Sequence, residues 1–241
     1  MPPLNALRPL LFWPGFAAGV LLYTLLFIGA APLPLRRRLH LSRSWARFNR
    51  IWIRWTLAID VEVRGLENIP DEPVVVMCKH QSTWETLVLQ SFMPLQSWVL
   101  KRELLWIPIF GWGLAMAGPI ALDRARGRQA VEQLVEKGRK RLLEDRLNVL
   151  IFPEGTRTAP GHRRRYKIGG ALLAEATGVP VLPVAHNAGH LWPRRRWAKR
   201  PGTVTVVIGP PIPTEGLEAT RILERVETWI ESTVEEIGAP D

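Results

Sequence analysis

The chain has 241 residues and a net charge of +10, with 32 Lys and Arg against 22 Asp and Glu. That length allows one sizeable domain with a buried core plus an additional segment. The positive charge favours partners that carry phosphate, either nucleic acid or an anionic membrane surface. A single cysteine excludes an internal disulfide, which fits a reducing compartment.

The first element is an apolar segment with no charged residue between Arg8 and Arg36. Prolines bracket its best helical stretch, 15–31, which predicts a helix about 26 Å long, slightly shorter than the roughly 30 Å hydrocarbon core of a bilayer. The segment either crosses the membrane with local thinning or dips into one leaflet. A cleaved signal peptide is disfavoured because three arginines, 36–38, flank the segment. By the positive-inside tendency, we expect membrane localisation with the following domain on the cytoplasmic face.

Residues 41–59 predict a second, two-sided helix. Bulky apolar residues and arginines each recur at spacings of three and four, and the two stripes lie on opposite sides of one helix. An aromatic face opposite a basic face is typical of a helix at a membrane interface. The alternative is a helix that packs on the protein's own core with its arginines in solvent. We predict a membrane-anchoring helical segment, 1–59, before a catalytic domain, 60–241. The apolar stripe is Leu41, Trp45, Phe48, Trp52, Trp55 and Ile59, and the basic stripe is Arg43, Arg47, Arg50 and Arg54.

From residue 61 onward, short apolar runs alternate with segments of helical periodicity. This alternation predicts an α/β fold with a mixed, largely parallel sheet flanked by helices. The predicted strands are 61–63, 74–78, 98–100, 120–122, 149–152, 179–184 and 204–208. The predicted helices are 83–93, 128–145, 169–177 and 219–237.

A histidine stands where the second of these strands ends and the next helix begins. His80 is followed five positions later by Glu85, and the two side chains meet only if His80 lies in the loop and Glu85 in the first helical turn. A carboxylate that orients a histidine is the arrangement of a general base. Ser82 and Glu85 also have the spacing of a capping box, so Glu85 has a purely structural alternative role.

Two other patterns offer different chemistry. Cys78 lies two residues before His80, so on an extended strand both side chains point to one face, as a Cys–His nucleophile requires. A cysteine that ends an apolar strand is more often a small buried hydrophobe. His186 and His190 have the spacing of metal ligands on a helix, but they follow a strand and no third ligand accompanies them. We therefore expect a buried thiol and no metal site.

Basic residues follow several of the predicted strands. Lys101 begins one such loop, Arg124 follows another strand, and Phe152-Pro153-Glu154-Gly155-Thr156-Arg157 follows a third. The carboxyl ends of strands line the ligand crevice in an open α/β sheet. Pro153 and Gly155 predict a tight turn that presents the Arg157 guanidinium, whose fork geometry suits phosphate. The fourth segment of interest is 181–185, Val-Leu-Pro-Val-Ala.

These four blocks, in this order and at these intervals, resemble the glycerolipid acyltransferase family, and within it the lysophosphatidic acid acyltransferases (1-acylglycerol-3-phosphate acyltransferases). The resemblance covers roughly residues 60–210, and 152–157 matches the family motif without change. The family usually has Asn where this chain has Lys79, and Asp where it has Glu85. Glutamate is longer by one methylene but still accepts a hydrogen bond from imidazole. Lys79 either adds a phosphate contact or marks a subfamily with another acceptor.

The resemblance implies direct transfer of a fatty acyl group from an acyl thioester to the sn-2 hydroxyl of lysophosphatidate, which gives phosphatidic acid for phospholipid biosynthesis. His80 is the implied general base, and Glu85 fixes its tautomer. Backbone N–H groups at the helix start near Ser82 are placed to meet the charge on the thioester oxygen. No cofactor is implied beyond the thioester itself, carried by coenzyme A or acyl carrier protein. The implied phosphate-binding residues are Lys101, Arg124 and Arg157, and the residues that shape their loop are Glu154, Gly155 and Thr156.

Two alternatives to this function stay open. One is an acyltransferase that acts on another lyso-lipid acceptor. The other is a non-enzymatic binder, because the basic runs 162–167 and 194–200 could bind nucleic acid through phosphates and stacking. The apolar segment 9–35 argues against nucleic acid. We expect both runs to face anionic membrane lipid, and we expect no nucleic-acid partner.

Overall fold

The computed structural model describes the backbone of residues 4–240 and the side chains from residue 7 onward. Two long helices precede an α/β unit in which strands and helices alternate. The helices are α1 (Leu4–Gly29), α2 (Leu35–Leu57), α3 (Trp84–Val88), α4 (Phe110–Met116), α5 (Arg128–Arg139), α6 (Gly169–Thr177), α7 (Ala188–Leu191) and α8 (Ala219–Ile237). The strands are β1 (Ile59–Arg64), β2 (Val75–Cys78), β3 (Gln96–Lys101), β4 (Ile120–Leu122), β5 (Asn148–Ile151), β6 (Val181–His186) and β7 (Gly202–Ile208).

The strands form one sheet in the order β1-β7-β6-β2-β5-β3-β4. All neighbours are parallel except β6 and β7, which are antiparallel. The central strand β2 is buried on both faces, as its unbroken apolar run Val75–Cys78 requires. The predicted α/β fold with a mixed, largely parallel sheet is confirmed, and each predicted strand is present within one to two residues at its ends.

The helices match the sequence less evenly. The predicted bounds of α6 and α8 are correct, but the predicted helix 83–93 stops at Val88 and continues as a 3₁₀ turn, Leu89–Ser91. The sequence did not predict α4, because Gly111 and Gly113 indicate a loop. In the structure Gly113 lets α4 approach α1, since a Cβ there would lie 2.8 Å from the Thr24 hydroxyl. A tertiary contact therefore explains a residue that locally weakens the helix.

The first helix is longer than the predicted stretch 15–31. It has 26 residues and runs through Pro9 and Pro14, so it is about 39 Å long. Contacts with α2 hold the helix beside these prolines. The Trp52 indole donates to the Phe12 carbonyl at 3.0 Å. The same ring packs against Gly15, where a Cβ would lie only 2.1 Å from it. Within the part of the chain that the structure describes, one helical stretch is long and apolar enough to cross a membrane, Leu7–Gly29.

The aromatic stripe of α2 packs on α1. Trp45 contacts Phe16 and Tyr23 with ring centroids 5.6 and 5.1 Å apart, and Trp52 lies against Gly15. A separate stripe of α2 faces the protein core, which it reaches through Leu39, Ser42, Ala46, Asn49 and Ile53. The prediction that the aromatic face of α2 contacts the membrane is therefore wrong for Trp45, Phe48 and Trp52, because α1 covers them. Trp55 alone of that stripe is largely exposed, at 81%.

Candidate active site

Four strands that are adjacent in the sheet end at the same cleft. They are β2, β5, β3 and β4, and their carboxyl ends lead into His80, the turn 152–157, Lys101 and Arg124, respectively. These residues are up to 77 positions apart in the sequence, but parallel pairing brings them to one edge of the sheet. The cleft has a volume of about 760 Å³.

The His80 ring and the Glu85 carboxylate are in direct contact. Glu85 Oε1 accepts hydrogen bonds from His80 Nδ1 at 2.8 Å and from the backbone N–H groups of Gln81 and Ser82 at 2.9 and 2.8 Å. One oxygen therefore orients the imidazole and also binds the Ser82 N–H of the predicted capping box, just before α3. Because Nδ1 donates, Nε2 keeps its lone pair, and the ring, stacked on Phe152 at 4.1 Å, lines the cleft. This is the geometry of a general base.

Glu85 is a carboxylate at neutral pH in this environment. Its complete burial raises its pKa, but the neighbouring His186, the hydrogen bond from His80 and the N–H of Ser82 together outweigh burial and leave the pKa below its usual value. His186 Nε2 lies 3.9 Å from Glu85 Oε1 and donates to the Lys79 carbonyl at 2.8 Å. Burial lowers the pKa of His186, and the charge of Glu85 opposes this effect, so the second histidine is electrostatically coupled to the pair.

The sequence did not predict that His186 lies beside the His80–Glu85 pair. The sequence pointed to it only as a metal ligand together with His190. Its Nδ1 accepts the Ala188 N–H at 3.2 Å, so both ring nitrogens are already used in hydrogen bonds. The sequence feature that could have placed His186 at the site is its position at the end of β6, the strand beside β2.

One N–H group of the predicted helix start, that of Ser82, is not available for a substrate oxygen. The Ser82 N–H donates to Glu85 Oε1 at 2.8 Å, and the Ser82 hydroxyl accepts from the Trp84 N–H at 3.0 Å. The Ser82 N–H is therefore excluded from an oxyanion hole, because the glutamate turns back on the residues before its own helix, and the other N–H groups of this helix start stay a prediction. Thr83, the next residue, lines the cleft.

The turn after β5 is stabilised by hydrogen bonds to its own backbone. The Gly155 N–H donates to the Phe152 carbonyl at 3.0 Å. Gly155 has a φ of +70°, a left-handed backbone conformation that favours glycine. Arg124 Nη1 donates to the Gly155 carbonyl, which joins two of the predicted phosphate-binding loops. Burial lowers the pKa of both Arg124 and Arg157, and both still carry charge at neutral pH as arginines do.

Most of the site residues predicted from the sequence lie together on the cleft wall. Two arginines that the sequence analysis assigned to a membrane-facing run, Arg194 and Arg195, also line it; the loop that carries them follows α7, which begins directly after β6. Glu154 is buried, and its Oε1 accepts the His80 N–H at 3.1 Å. The predicted residues on the wall are His80, Lys101, Arg124, Gly155, Thr156 and Arg157.

Lys79 does not supply a phosphate contact. Its side chain is 1% exposed, and its Nζ lies 2.5 Å from Glu231 and 3.4 Å from Glu154. That alternative from the sequence is therefore wrong, because successive residues of an extended segment point to opposite sides, so that His80 faces the cleft and Lys79 the interior.

Apolar side chains of the N-terminal helices and of α4 form another part of the cleft wall, which we call the apolar chamber. Phe16, Val20 and Phe27 of α1 line it together with Trp45 of α2 and Leu114 of α4. A cleft lined by both cations and a set of apolar side chains suits an amphiphile with an anionic head and a hydrocarbon chain.

Comparison with known proteins agrees with this geometry. A family model described as "Acyltransferase" matches residues 60–187, and the chain belongs to that family. It is 46% identical to the 1-acyl-sn-glycerol-3-phosphate acyltransferase of Pseudomonas aeruginosa, over 99% of this chain and 94% of that protein. It is 32% identical to the human 1-acyl-sn-glycerol-3-phosphate acyltransferase alpha, over 80% and 70% of the two chains.

A solved structure gives the same result. The crystal structure of the 1-acyl-sn-glycerophosphate (LPA) acyltransferase PlsC from Thermotoga maritima matches with a TM-score of 0.80 and 28% identity, over 97% of this chain and 95% of that chain. The resemblance to lysophosphatidic acid acyltransferases that the motifs predicted is confirmed.

Cys78 is predicted to be dispensable for acyl transfer. It is fully buried, and burial, reinforced by the nearby Glu85 and Glu154, raises the pKa of its thiol well above the usual value, so the thiolate nucleophile is not formed. Cys78→Ala should retain turnover within about threefold of the wild type, since it removes no group that reacts. The measurement is acyl transfer by the purified variant. A hydroxylamine-labile acyl-protein that disappears with Cys78→Ala would instead establish covalent catalysis.

Proposed function

We propose that the protein transfers a fatty acyl group from an acyl thioester to the sn-2 hydroxyl of 1-acylglycerol-3-phosphate and so forms phosphatidic acid. The observation that carries this function is that His80 lines one cleft together with the cations Arg124, Arg157 and Lys101 and with the apolar side chains of the N-terminal helices. In an acceptor with a phosphate and an acyl chain, the phosphate matches the cations and the acyl chain matches the apolar side chains. The names of the relatives that match this chain over most of its length support the same activity.

In the proposed reaction the acceptor hydroxyl lies against His80 Nε2. The imidazole takes the hydroxyl proton while the oxygen attacks the thioester carbonyl, the new C–O bond forms, and the C–S bond then breaks. The imidazolium returns its proton to the departing thiolate. Glu85 stabilises the imidazolium through the Nδ1 hydrogen bond. The chain supplies the base and the binding groups, and we propose no cofactor besides the thioester of coenzyme A or acyl carrier protein.

The phosphate of the acceptor is proposed to lie among the cations that line the cleft. Arg157 and Arg124 are both partly buried and attached to the same turn, and Lys101, which pairs with Glu103 at 3.0 Å, lies at its edge. Glu154, Gly155 and Thr156 are proposed to give the turn its shape. A dianionic phosphate at this position relieves the repulsion among these charges.

His80→Ala should abolish acyl transfer while the protein stays folded. Loss of a general base lowers turnover by about 10²–10⁴-fold, and Glu85→Gln should also lose most of the rate because the ring loses its orienting carboxylate. Glu85→Asp should retain part of the activity. The assay is turnover of lysophosphatidate with a labelled acyl-CoA, with circular dichroism as the folding control. A folded His80→Ala protein with more than about a tenth of wild-type turnover would contradict this mechanism.

Arg157→Ala should weaken acceptor binding specifically. Loss of a charge-assisted contact costs about 1.5–3 kcal/mol, so the KM for lysophosphatidate should rise roughly ten- to a hundredfold while the KM for the thioester changes little. The matched control is Arg128→Ala, since Arg128 is an exposed arginine that pairs with Glu132 on α5. Equal rises in both KM values, or none, would exclude Arg157 as the phosphate contact.

We further propose that the protein is bound to the cytoplasmic face of a membrane through α1. The outer face of α1 exposes large apolar side chains, and the neighbouring segment 104–112 exposes more, including Trp106 and Trp112. A contiguous apolar surface of this kind on a monomer indicates contact with a membrane or a partner. The arginines of α2 and the basic runs 162–167 and 194–200 are proposed to add attraction to anionic lipid. The predicted boundary between the anchoring segment 1–59 and the catalytic domain 60–241 stays a prediction, since residues of both parts line the cleft.

Leu22→Ser combined with Leu25→Ser should lower flotation with liposomes. Each exposed leucine that enters lipid contributes about 1.5–3 kcal/mol, so the pair should reduce partitioning at least tenfold. Leu143→Ser is the matched control, because Leu143 is an exposed leucine outside this surface. Unchanged flotation of the double variant would rule out α1 as the anchor.

The orientation of the catalytic domain in the membrane is tested with the variant Glu236→Cys, which places a cysteine at an exposed position. The native Cys78 is buried and therefore should not react with the label. A membrane-impermeant maleimide should label the introduced cysteine only after the cells are lysed. Labelling of intact spheroplasts would place the catalytic domain on the opposite face.

A further inference from the structure

Lys79 belongs to a buried cluster of charges behind the base. Its Nζ lies 2.5 Å from Glu231 Oε1 on α8 and 3.4 Å from Glu154 Oε1. The Tyr166 hydroxyl donates to the same Glu231 oxygen at 2.8 Å. Removal of a charge from water is unfavourable unless it is paired and hydrogen-bonded. The cluster therefore holds together only if each partner is present.

Glu154 connects this cluster to the backbone of the base. The Glu154 Oε1 that faces Lys79 also accepts the His80 N–H at 3.1 Å. The Thr158 N–H donates to the His80 carbonyl at 2.8 Å. Both backbone groups of His80 are thus bound by the segment 154–158, which carries Arg157 between them. The base and the phosphate-binding arginine form one unit whose geometry depends on the Glu154 carboxylate.

Lys79 favours the charged form of that carboxylate and holds it in place. Burial raises the pKa of Glu154, and Lys79 is the strongest of the influences that oppose burial. The second oxygen, Glu154 Oε2, is buried without a hydrogen-bond partner among the described side chains and backbone. Without the ammonium group, the carboxyl would take up a proton or turn away, and either change weakens its hold on the His80 N–H.

We propose that Lys79 and Glu231 are positioning residues for acyl transfer, which through Glu154 set the place of the His80 base relative to Arg157. This rests on the function proposed for the cleft. The counter-charge comes from α8, outside the residues 60–187 that the family model matches. The pair joins α8 to the active-site loops across 152 positions of the sequence, so the C-terminal helix takes part in the geometry of the site.

The test is a double-mutant cycle on the full-length protein in detergent micelles, with Lys79→Met, Glu231→Gln and the combination. Lys79→Met should lower kcat at least about tenfold and raise the KM for lysophosphatidate at least about threefold, because both the base and the phosphate contact move. The KM for the thioester should stay within about twofold. The combined variant should lose less than the product of the two single losses, since the two residues act on one carboxylate.

Ile222→Ala is the matched control, because Ile222 is fully buried on α8 but about 13 Å along the helix from Glu231. It should lower the melting temperature yet leave kcat and both KM values within about twofold of wild type when assayed below its melting temperature. Wild-type kinetics in Lys79→Met, multiplicative losses in the combined variant, or the same kinetic loss in Ile222→Ala would each overturn the proposal. If Lys79→Met does not fold, Lys79→Gln, which keeps a donor for Glu154, replaces it in the cycle.

A second readout does not depend on turnover. The His80 Nδ1 proton shared with Glu85 should give a downfield proton resonance in histidine-labelled protein. This resonance should shift or broaden in Lys79→Met and stay unchanged in Ile222→Ala. An unchanged resonance in Lys79→Met would overturn the positioning role. If the resonance responds as expected but the wild-type protein shows no acyl transfer, the proposed function alone is overturned.

Discussion

The active centre depends on a single buried carboxylate oxygen, Glu85 Oε1, which accepts three N–H donors at once. Two are the backbone groups of Gln81 and Ser82 just before α3, and the third is the ring of His80. The ring therefore cannot turn away without leaving buried partners unsatisfied, which is costly in a low-dielectric interior. The orientation of the base follows from the way its helix begins.

The backbone of the same histidine is held from the other side. The segment 154–158 binds both its N–H and its carbonyl, and Arg124 attaches to the Gly155 carbonyl of the same turn. Groups that come from β2, β4 and β5 thus form one assembly, and parallel pairing of these strands is the reason they meet. The cations on the cleft wall repel one another unless an anion lies among them, which is the arrangement that the proposed phosphate site requires.

The first helix is apolar on two sides for different reasons. Its inner side, including Phe16, Val20 and Phe27, closes the chamber, whereas Leu22 and Leu25 lie on its outer side. This explains why no charge occurs between Arg8 and Arg36 and why the segment lacks the polar face of an ordinary surface helix. The same helix covers the aromatic side of α2, so the chamber, the helix pair and the exposed surface form one structure.

The sequence by itself determined the strands, the bounds of α6 and α8, and the contact between His80 and Glu85, because each depends on residues a few positions apart. Apolar runs, helical periodicity and a capping pattern act locally. The tertiary structure decided the partner of the aromatic stripe of α2, the loss of the Ser82 N–H as a free donor, and the direction of Lys79. The partner of Lys79 is 152 positions away, and no local pattern records which buried carboxylate will meet a given lysine. Such contacts are set only when distant surfaces pack and exclude water.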